Sequence, residues 1–306
     1  MLPFRFGVHF SVAPSMSGWR NQARAAEDLG YSALYVADHF GDQFGPLVAI
    51  TVAAEATSTL HVGTVVLNND LRNPVVLAKE IATLGLAAEG RVEVGFGAGW
   101  LEGDYAQAGI AFDKPAVRVD RLAESLTVMK NLWSDGKTSF TGEYHTVRDA
   151  CCEPRPESLP RIIVGGGSRR ILTVAAKHAD TVGVNTSLAA GLNPGELASQ
   201  ATSDHYDRCL NWMREAAPDR FDSIELQLMT IATRIVSSRR AAVRTATMLG
   251  LPGEDALELP IVLIGAVDEL CERLLEYRTR WGFTNIVVPG DAMESFAPVV
   301  AQLAGS

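Results

Sequence analysis

Arg161-Ile-Ile-Val-Gly-Gly-Gly-Ser-Arg-Arg-Ile-Leu-Thr-Val-Ala-Ala-Lys-His178 reads as a short strand, a glycine turn and a helix. Arg161 to Val164 carries an uninterrupted apolar run. Such a run has no solvated face, so the strand is expected to be buried on both sides, as in a parallel sheet. The helix starts at Ser168 and ends at His178.

The same unit recurs on both sides of this stretch. Upstream, strands are expected at Phe4 to Phe10, Ala33 to Ala37, Leu60 to Leu67 and Val92 to Phe96. Between them, Trp19, Ala23, Ala26 and Leu29 fall at helical spacing, with Gly30 as the stop. Pro46 and Pro74 each open a helix at its favoured first position. Val119, Leu122, Leu126, Met129 and Trp133 form the cleanest amphipathic stripe. Ser139 to Val147 alternates around Thr141-Gly142-Glu143 and reads as a hairpin. Downstream, strands are expected at Thr181 to Asn185, Ile224 to Ile231 and Asn285 to Val288. A helix lies around Tyr206 to Met213, a polar helical cap from Ser237 to Leu259, and a short extended piece from Pro260 to Ile264. Leu270, Leu274, Tyr277 and Trp281 mark the last amphipathic helix.

Eight buried strands separated by helices predict an α/β fold, the closed (β/α)8 TIM barrel. The chain is expected to be a single barrel domain over 1–306, with 188–259 an insertion or cap region within it. A barrel typically takes ~250 residues, and 306 suffices. An open doubly wound sheet would more often stop at fewer strands and break into a second domain, and no break is visible.

Composition narrows the function. Apolar residues are 47% and charged residues 21%, the balance of a globular chain. No apolar stretch approaches the ~18 residues of a membrane span. The start lacks the features of a secretory leader, so a cytoplasmic protein is expected. Its four cysteines include an adjacent pair, Cys151-Cys152, and no Cys-x-x-Cys, so neither a disulfide framework nor a zinc site is expected. A net charge of −9 argues against nucleic acid or an acidic membrane as partner. A small-molecule substrate is expected, and no metal.

In a barrel the chemistry lies where strands end and helices begin. The strand ends bring His9, Asp38-His39, Val65-Val66 with Asn68, Ala98-Gly99-Trp100, Gly165 to Ser168, and Asn185 to one rim. The glycine triplet before a helix start suits a phosphate, and Arg169 and Arg170 follow at once. The plain alternative is a tight turn with Ser168 as an ordinary cap. His39 can exchange protons near neutral pH, with Asp38 beside it to hold or tune it. His9 is equally plausible as a packed ring. The alternating Gly95, Gly97 and Gly99 mark a close approach by something flat or by another backbone, with Trp100 at the mouth.

These pieces resemble the bacterial luciferase-like monooxygenase superfamily, and within it the branch that uses the deazaflavin F420. The resemblance rests on Phe4-Arg-Phe-Gly-Val-His9, Asp38-His39-Phe40, Val62-Gly-Thr-Val-Val-Leu67, Leu71-Arg72-Asn73-Pro74, Glu89-Gly90-Arg91, Gly95-Phe-Gly-Ala-Gly-Trp-Leu-Glu102 and Ile163-Val-Gly-Gly-Gly-Ser168. They stand in family order as far as about Asn185. The resemblance implies the cofactor ring at the C-terminal rim, with Asp38 and His39 beside it and His39 the acid or base. It implies a bulge at Val65-Val66, often a non-prolyl cis peptide, behind the ring. It implies contacts from Asn68, Ala98, Gly99 and Trp100, phosphate binding by Gly165, Gly166, Gly167, Ser168 and Arg169, and a substrate pocket at His9, Trp100 and Asn185. A homodimer is compatible with it. Sugar-phosphate dehydrogenase members carry a glutamate where this chain has Trp100, so that substrate class is not expected.

The implied activity is hydride transfer between F420 and a small organic substrate. FMN, in a two-component flavin monooxygenase, is the alternative. F420 also bears an anionic tail, and Arg169, Arg170 and Arg72 are the cations available to meet it. A barrel lyase or isomerase acting on a phosphorylated substrate would usually place a lysine or paired carboxylates at the strand ends, which are missing here. A non-catalytic flavin-binding protein is the remaining reading.

Overall fold

The computed structural model describes residues 2–135, 137–156, 158–186 and 193–306. Eight parallel strands run Arg5–His9, Ala33–Val36, His61–Thr64, Val92–Gly97, Arg161–Gly166, Thr181–Val184, Glu225–Met229 and Phe283–Pro289. They are called strands one to eight below. Each pairs with its successor, and strand one also pairs with strand eight, so the ring closes. This is the expected (β/α)8 barrel.

The strand ends differ from the expected ones by one to three residues, and the largest difference is informative. The third run does not continue from Leu60 to Leu67 as one strand. It stops at Thr64, turns through Val65-Val66, and resumes as Leu67–Asn68 beside Phe96 and Gly97. The hairpin pairs Lys137–Thr141 with Thr146–Cys151. Cys151 ends the second strand of this hairpin, and both it and Cys152 are free thiols.

The first residues of the expected insertion, 188–192, lie outside the described residues. Further on, Ala232–Ile235 and Val262–Gly265 pair in parallel and are joined by helix Arg239–Met248. That helix packs on Val262–Gly265 and the turn Asp255–Glu258. Arg234 meets Asp291 at 2.5 Å, just past strand eight. The polar segment therefore belongs to a small βαβ unit flanking the rim beside strands seven and eight.

The helices present their apolar faces as the spacing dictates. Trp19, Ala23 and Ala26 are buried on helix Met16–Asp28, and Leu122, Leu126 and Met129 on helix Pro115–Asp135. Each large side chain so buried contributes ~1.5–3 kcal/mol.

Inside the barrel the lowest layer is charged. Arg5 contacts Glu93 and lies 3.2 Å from Glu225. Glu225 also accepts from Thr181 at 2.8 Å and Asn285 at 3.1 Å, and Arg161 lies 3.3 Å away. Tyr35 fills the centre above and donates its hydroxyl to Glu93 at 2.7 Å. An added Cβ at Gly7 would stand 2.5 Å from the Tyr35 ring, so the ring occupies the space that glycine leaves. Ala33, Ile163 and Val287 complete this inner cluster, with Val65 and Met229 against it. The strand ends rest on this plug.

Candidate active site at the C-terminal rim

The Val65-Val66 peptide is cis. Its turn explains the alternating glycines of strand four. A Cβ on Gly95 would stand 2.1 Å from the Thr64 carbonyl oxygen, and one on Gly97 2.5 Å from Val66 Cγ2. At Gly99, whose φ is +75°, a Cβ would meet the Tyr105 hydroxyl at 2.0 Å. Strand three and Tyr105 therefore make the close approach that the glycines permit, and no ring from outside is needed to explain them.

His39 and Asp38 diverge. Asp38 is engaged by Arg72, at 2.5 and 3.0 Å to its two oxygens, and accepts the Asn68 N–H at 2.9 Å. It is not the partner of His39. That partner is Asp104, on helix Glu102–Ala108, whose Oδ2 lies 2.6 Å from His39 Nδ1. Asp104 is buried, and its other oxygen accepts the Phe40 N–H at 3.3 Å. Nδ1–H is thus committed to a carboxylate, which leaves Nε2 as the reactive nitrogen. Trp100 stands edge-on to His39, with ring centroids 5.5 Å apart.

Asn68 caps the turn Asn69–Leu71, and its Oδ1 accepts from Asp70 N–H at 3.1 Å and the Tyr105 hydroxyl at 3.2 Å. The carbonyls of Ala98 and Gly99 are held by Arg118 at 3.1 and 3.2 Å. Arg118 itself is buried against Phe112, 4.0 Å from the ring centroid. Asp104, Tyr105 and Arg118 thus fix the Ala98–Trp100 corner. Sequence reasoning missed all three. The acidic residue two helical positions after Glu102 is the one signal that could have drawn attention to Asp104.

His9 lies at the end of strand one, with Ser11 Oγ 3.5 Å from its Nε2. Burial, assisted by the nearby charge of His39, lowers its pKa to about 4. It is therefore a neutral ring near pH 7.

At the end of strand five, Gly165, Gly166, Gly167 and Ser168 lead into helix Arg169–His178. Ser168 makes no side-chain capping bond, which leaves its hydroxyl and the first-turn N–H groups without intrahelical partners. A Cβ on Gly167 would strike the Asn185 carbonyl at 2.0 Å, so this glycine is also required by packing. The arginines do not gather here. Arg169 meets Glu215 at 2.9 Å and Arg170 grips Asp120 at 2.5 Å, while Arg72 is held by Asp38. The expected cationic patch beside the glycine loop is instead three separate ion pairs. Asn185 N–H bonds to Gly166 O at 2.9 Å, which places its side chain next to Gly165.

No helix among the described residues is long and apolar enough to cross a membrane.

The luciferase-like monooxygenase family model matches residues 1–191. Among curated proteins, the F420-dependent glucose-6-phosphate dehydrogenase of Kineococcus radiotolerans is 33% identical over 202 residues, 60% of each chain. The protein of the same name from Mycolicibacterium smegmatis is 28% identical, over 89% of this chain and 88% of its own. The match to the first spans less than two thirds of that relative's length. Among solved structures, an F420-dependent tetrahydromethanopterin reductase from Methanopyrus kandleri superposes with a TM-score of 0.79 at 19% identity, covering 99% of this chain and 98% of its own. An F420-dependent secondary alcohol dehydrogenase gives 0.78 at 18%, with the same coverage. The monooxygenase RslO1 from Streptomyces bottropensis gives 0.73 at 20%, covering 98% and 97%. Those likenesses establish the fold, and the family-model match over more than half of the sequence establishes descent: the chain belongs to the luciferase-like monooxygenase family.

Proposed function

We propose that this protein is a cytoplasmic F420-dependent oxidoreductase, a single barrel whose rim transfers a hydride between the deazaflavin and a small organic substrate. The observation that carries the reading is the His39–Asp104 pair at the strand ends, 2.6 Å apart, beside the cis Val65-Val66 turn. The names of the curated relatives above support F420 as the cofactor.

The residues present fit such a group. The Val65-Val66 turn offers an apolar backing for a flat ring, and the start of helix Arg169–His178, with a Ser168 hydroxyl that makes no capping bond, offers donors to a phosphate. Bound F420 supplies or accepts a hydride at C5. His39 Nε2 gives or takes the proton that accompanies it, while Asp104 fixes the ring and its tautomer. Asp38, clamped by Arg72, holds the Asn68 backbone and so the shape of the wall behind the ring. Trp100 shields His39 on one side, and its indole supports an apolar substrate face in place of a sugar phosphate.

FMN and monooxygenation form the second reading, and one observation favours it. Arg169, Arg170 and Arg72 are all engaged by acids among the described residues, so these three form no free cationic patch for an anionic tail. Titration of the purified protein with F420 and separately with FMN, followed by fluorescence, tests between the two. F420 is expected to bind at least tenfold more tightly, ~1.4 kcal/mol. Stoichiometric FMN binding with indifference to F420 overturns the reading.

A further inference from the structure

Two carboxamides inside the barrel have no role in the chemistry above. On strand seven, Leu226 and Leu228 pack outward into the core under the helices, while Glu225 bonds to Asn285 within the barrel. Alternation along the strand therefore turns Gln227 inward. It is 3% exposed, and its Nε2 is buried with no hydrogen-bond partner among the described residues. Buried amides are nearly always paired, so an unpaired one on the inner face of the barrel points to a ligand.

Asn185 stands next to it. The backbone of Asn185 is fully used, its N–H on Gly166 O and its carbonyl accepting from His205 Nε2 at 3.0 Å. Its side-chain amide makes no hydrogen bond among the described residues. Both amides lie beside Gly183. The position a Cβ would take on Gly183 lies 3.4 Å from Gln227 Oε1, 3.8 Å from Asn185 Nδ2 and 3.6 Å from Gly165 Cα. Unlike Gly95 and Gly167, Gly183 is not forced by crowding, since nothing there stands closer than an ordinary contact. Gly183 and Gly165 put no side chain against the two amides, and a Cβ on Gly165 would already stand 3.1 Å from Asn185 Nδ2.

We propose that Asn185 and Gln227 together read a cyclic imide, the C=O, N–H, C=O edge of a pyrimidinedione ring. A carboxamide offers both a donor and an acceptor, so two of them match the acceptor–donor–acceptor order of that edge. A hydrocarbon engages none of the four groups, and a simple alcohol offers one donor and one acceptor on a single oxygen instead of the three-point edge. This inference rests on the reading of the rim as a deazaflavin or flavin site. Both rings carry the edge, so the pair recognises the chemistry they share.

The test is a binding titration with riboflavin and 5-deazariboflavin, each with a free and with a methylated imide nitrogen. The wild-type protein is expected to prefer the free imide by tenfold or more in at least one ring series. Gln227→Leu is expected to lose that preference and to bind both forms about equally, as a coupled pair requires. Its melting temperature without ligand is expected to be unchanged or raised, because the amide has no partner to lose. Gln227→Met serves the same comparison should the leucine variant not fold. A folded variant that keeps the full preference overturns the proposal, as does a wild-type protein with none. Failure to bind any of the four rings, and F420 and FMN as well, overturns the cofactor reading itself, a separate outcome.

Discussion

His39 Nδ1 and Asp104 Oδ2 lie 2.6 Å apart although 65 positions separate them in the chain. The end of strand two meets the first turn of the helix after strand four, and the carboxylate that orients the imidazole arrives from outside the Asp38-His39 pair. Asp104→Ala is expected to release the ring. Nitrogen NMR of labelled protein should show one dominant His39 tautomer, with Nδ1 protonated, in the wild type and a mixture in the variant. Turnover with an accepted substrate should fall ~10²-fold, with cofactor affinity little changed. A variant that keeps both the single tautomer and full turnover would remove Asp104 from its positioning role.

His39→Ala is expected to cost at least as much, ~10²-fold in turnover, again with little loss of cofactor binding. Steady-state rates from pH 5 to 9, taken beside a binding titration, check this. Wild-type rates across that range would reduce His39 to a packing residue.

Arg118 ties the Ala98 and Gly99 carbonyls to the Asp113 carbonyl from a buried position. Arg118→Met keeps most of the volume and strips the donors. The buried carbonyls then lose their partners, at ~1–3 kcal/mol. Thermal melts should show that loss, and cofactor affinity should weaken with it because the Trp100 corner loosens. An unchanged melt combined with unchanged affinity contradicts the role given to Arg118.

Acid should weaken the fold in two ranges. His9 has a folded pKa of about 4, lowered by burial from 6.5, so the unfolded chain binds the extra proton first. Stability therefore falls as pH drops from about 6.5 towards 4, by at most ~3 kcal/mol from this group. Burial alone would raise Glu93, but His61 and Arg5 pull its pKa to about 2. Its contribution is present above the unfolded value of 4.5 and is lost as pH falls through 4.5 towards 2. Denaturant melts at pH 7.5, 5.5 and 4.5 should show progressive loss, and His9→Phe should flatten the upper part. A pH-independent midpoint from 7.5 to 4.5 contradicts the His9 assignment, and a midpoint unchanged from pH 4.5 to 3 contradicts that of Glu93.

Two glycines, on strands four and six, should respond very differently to one added methyl. Gly95→Ala drives a Cβ to 2.1 Å from a backbone oxygen that cannot move aside, whereas Gly183→Ala meets nothing closer than 3.4 Å. The first should cost several kcal/mol or prevent folding, and the second should leave the melt within ~1 kcal/mol. Equal melts would show that the Thr64–Gly95 contact is not as tight as it stands.

The barrel was legible because its strands are continuous apolar runs, and continuity is a local signal. The rim was legible for the same reason, since the strand ends name themselves once the strands are found. Partners across the barrel were not. Asp38 adjoins His39 in sequence, yet in the loop beyond the end of strand two their side chains diverge, Asp38 to Arg72 and His39 to Asp104. Arg5, Glu93 and Glu225 read as interruptions in apolar strands, and only closure of the ring shows that they neutralise one another. Arg169 and Arg170 adjoin the glycine loop in sequence, but the helix carries them round to Glu215 and Asp120. In each case the sequence lists the charge and the fold chooses its partner.

The most direct test of the account is a crystal structure of the protein with F420 bound. The expected result places the deazaflavin ring against Val65-Val66, its phosphate at Gly165 to Ser168, and His39 Nε2 facing the reacting carbon with Asp104 still on Nδ1. A ring bound elsewhere, or His39 turned away from it, contradicts the account.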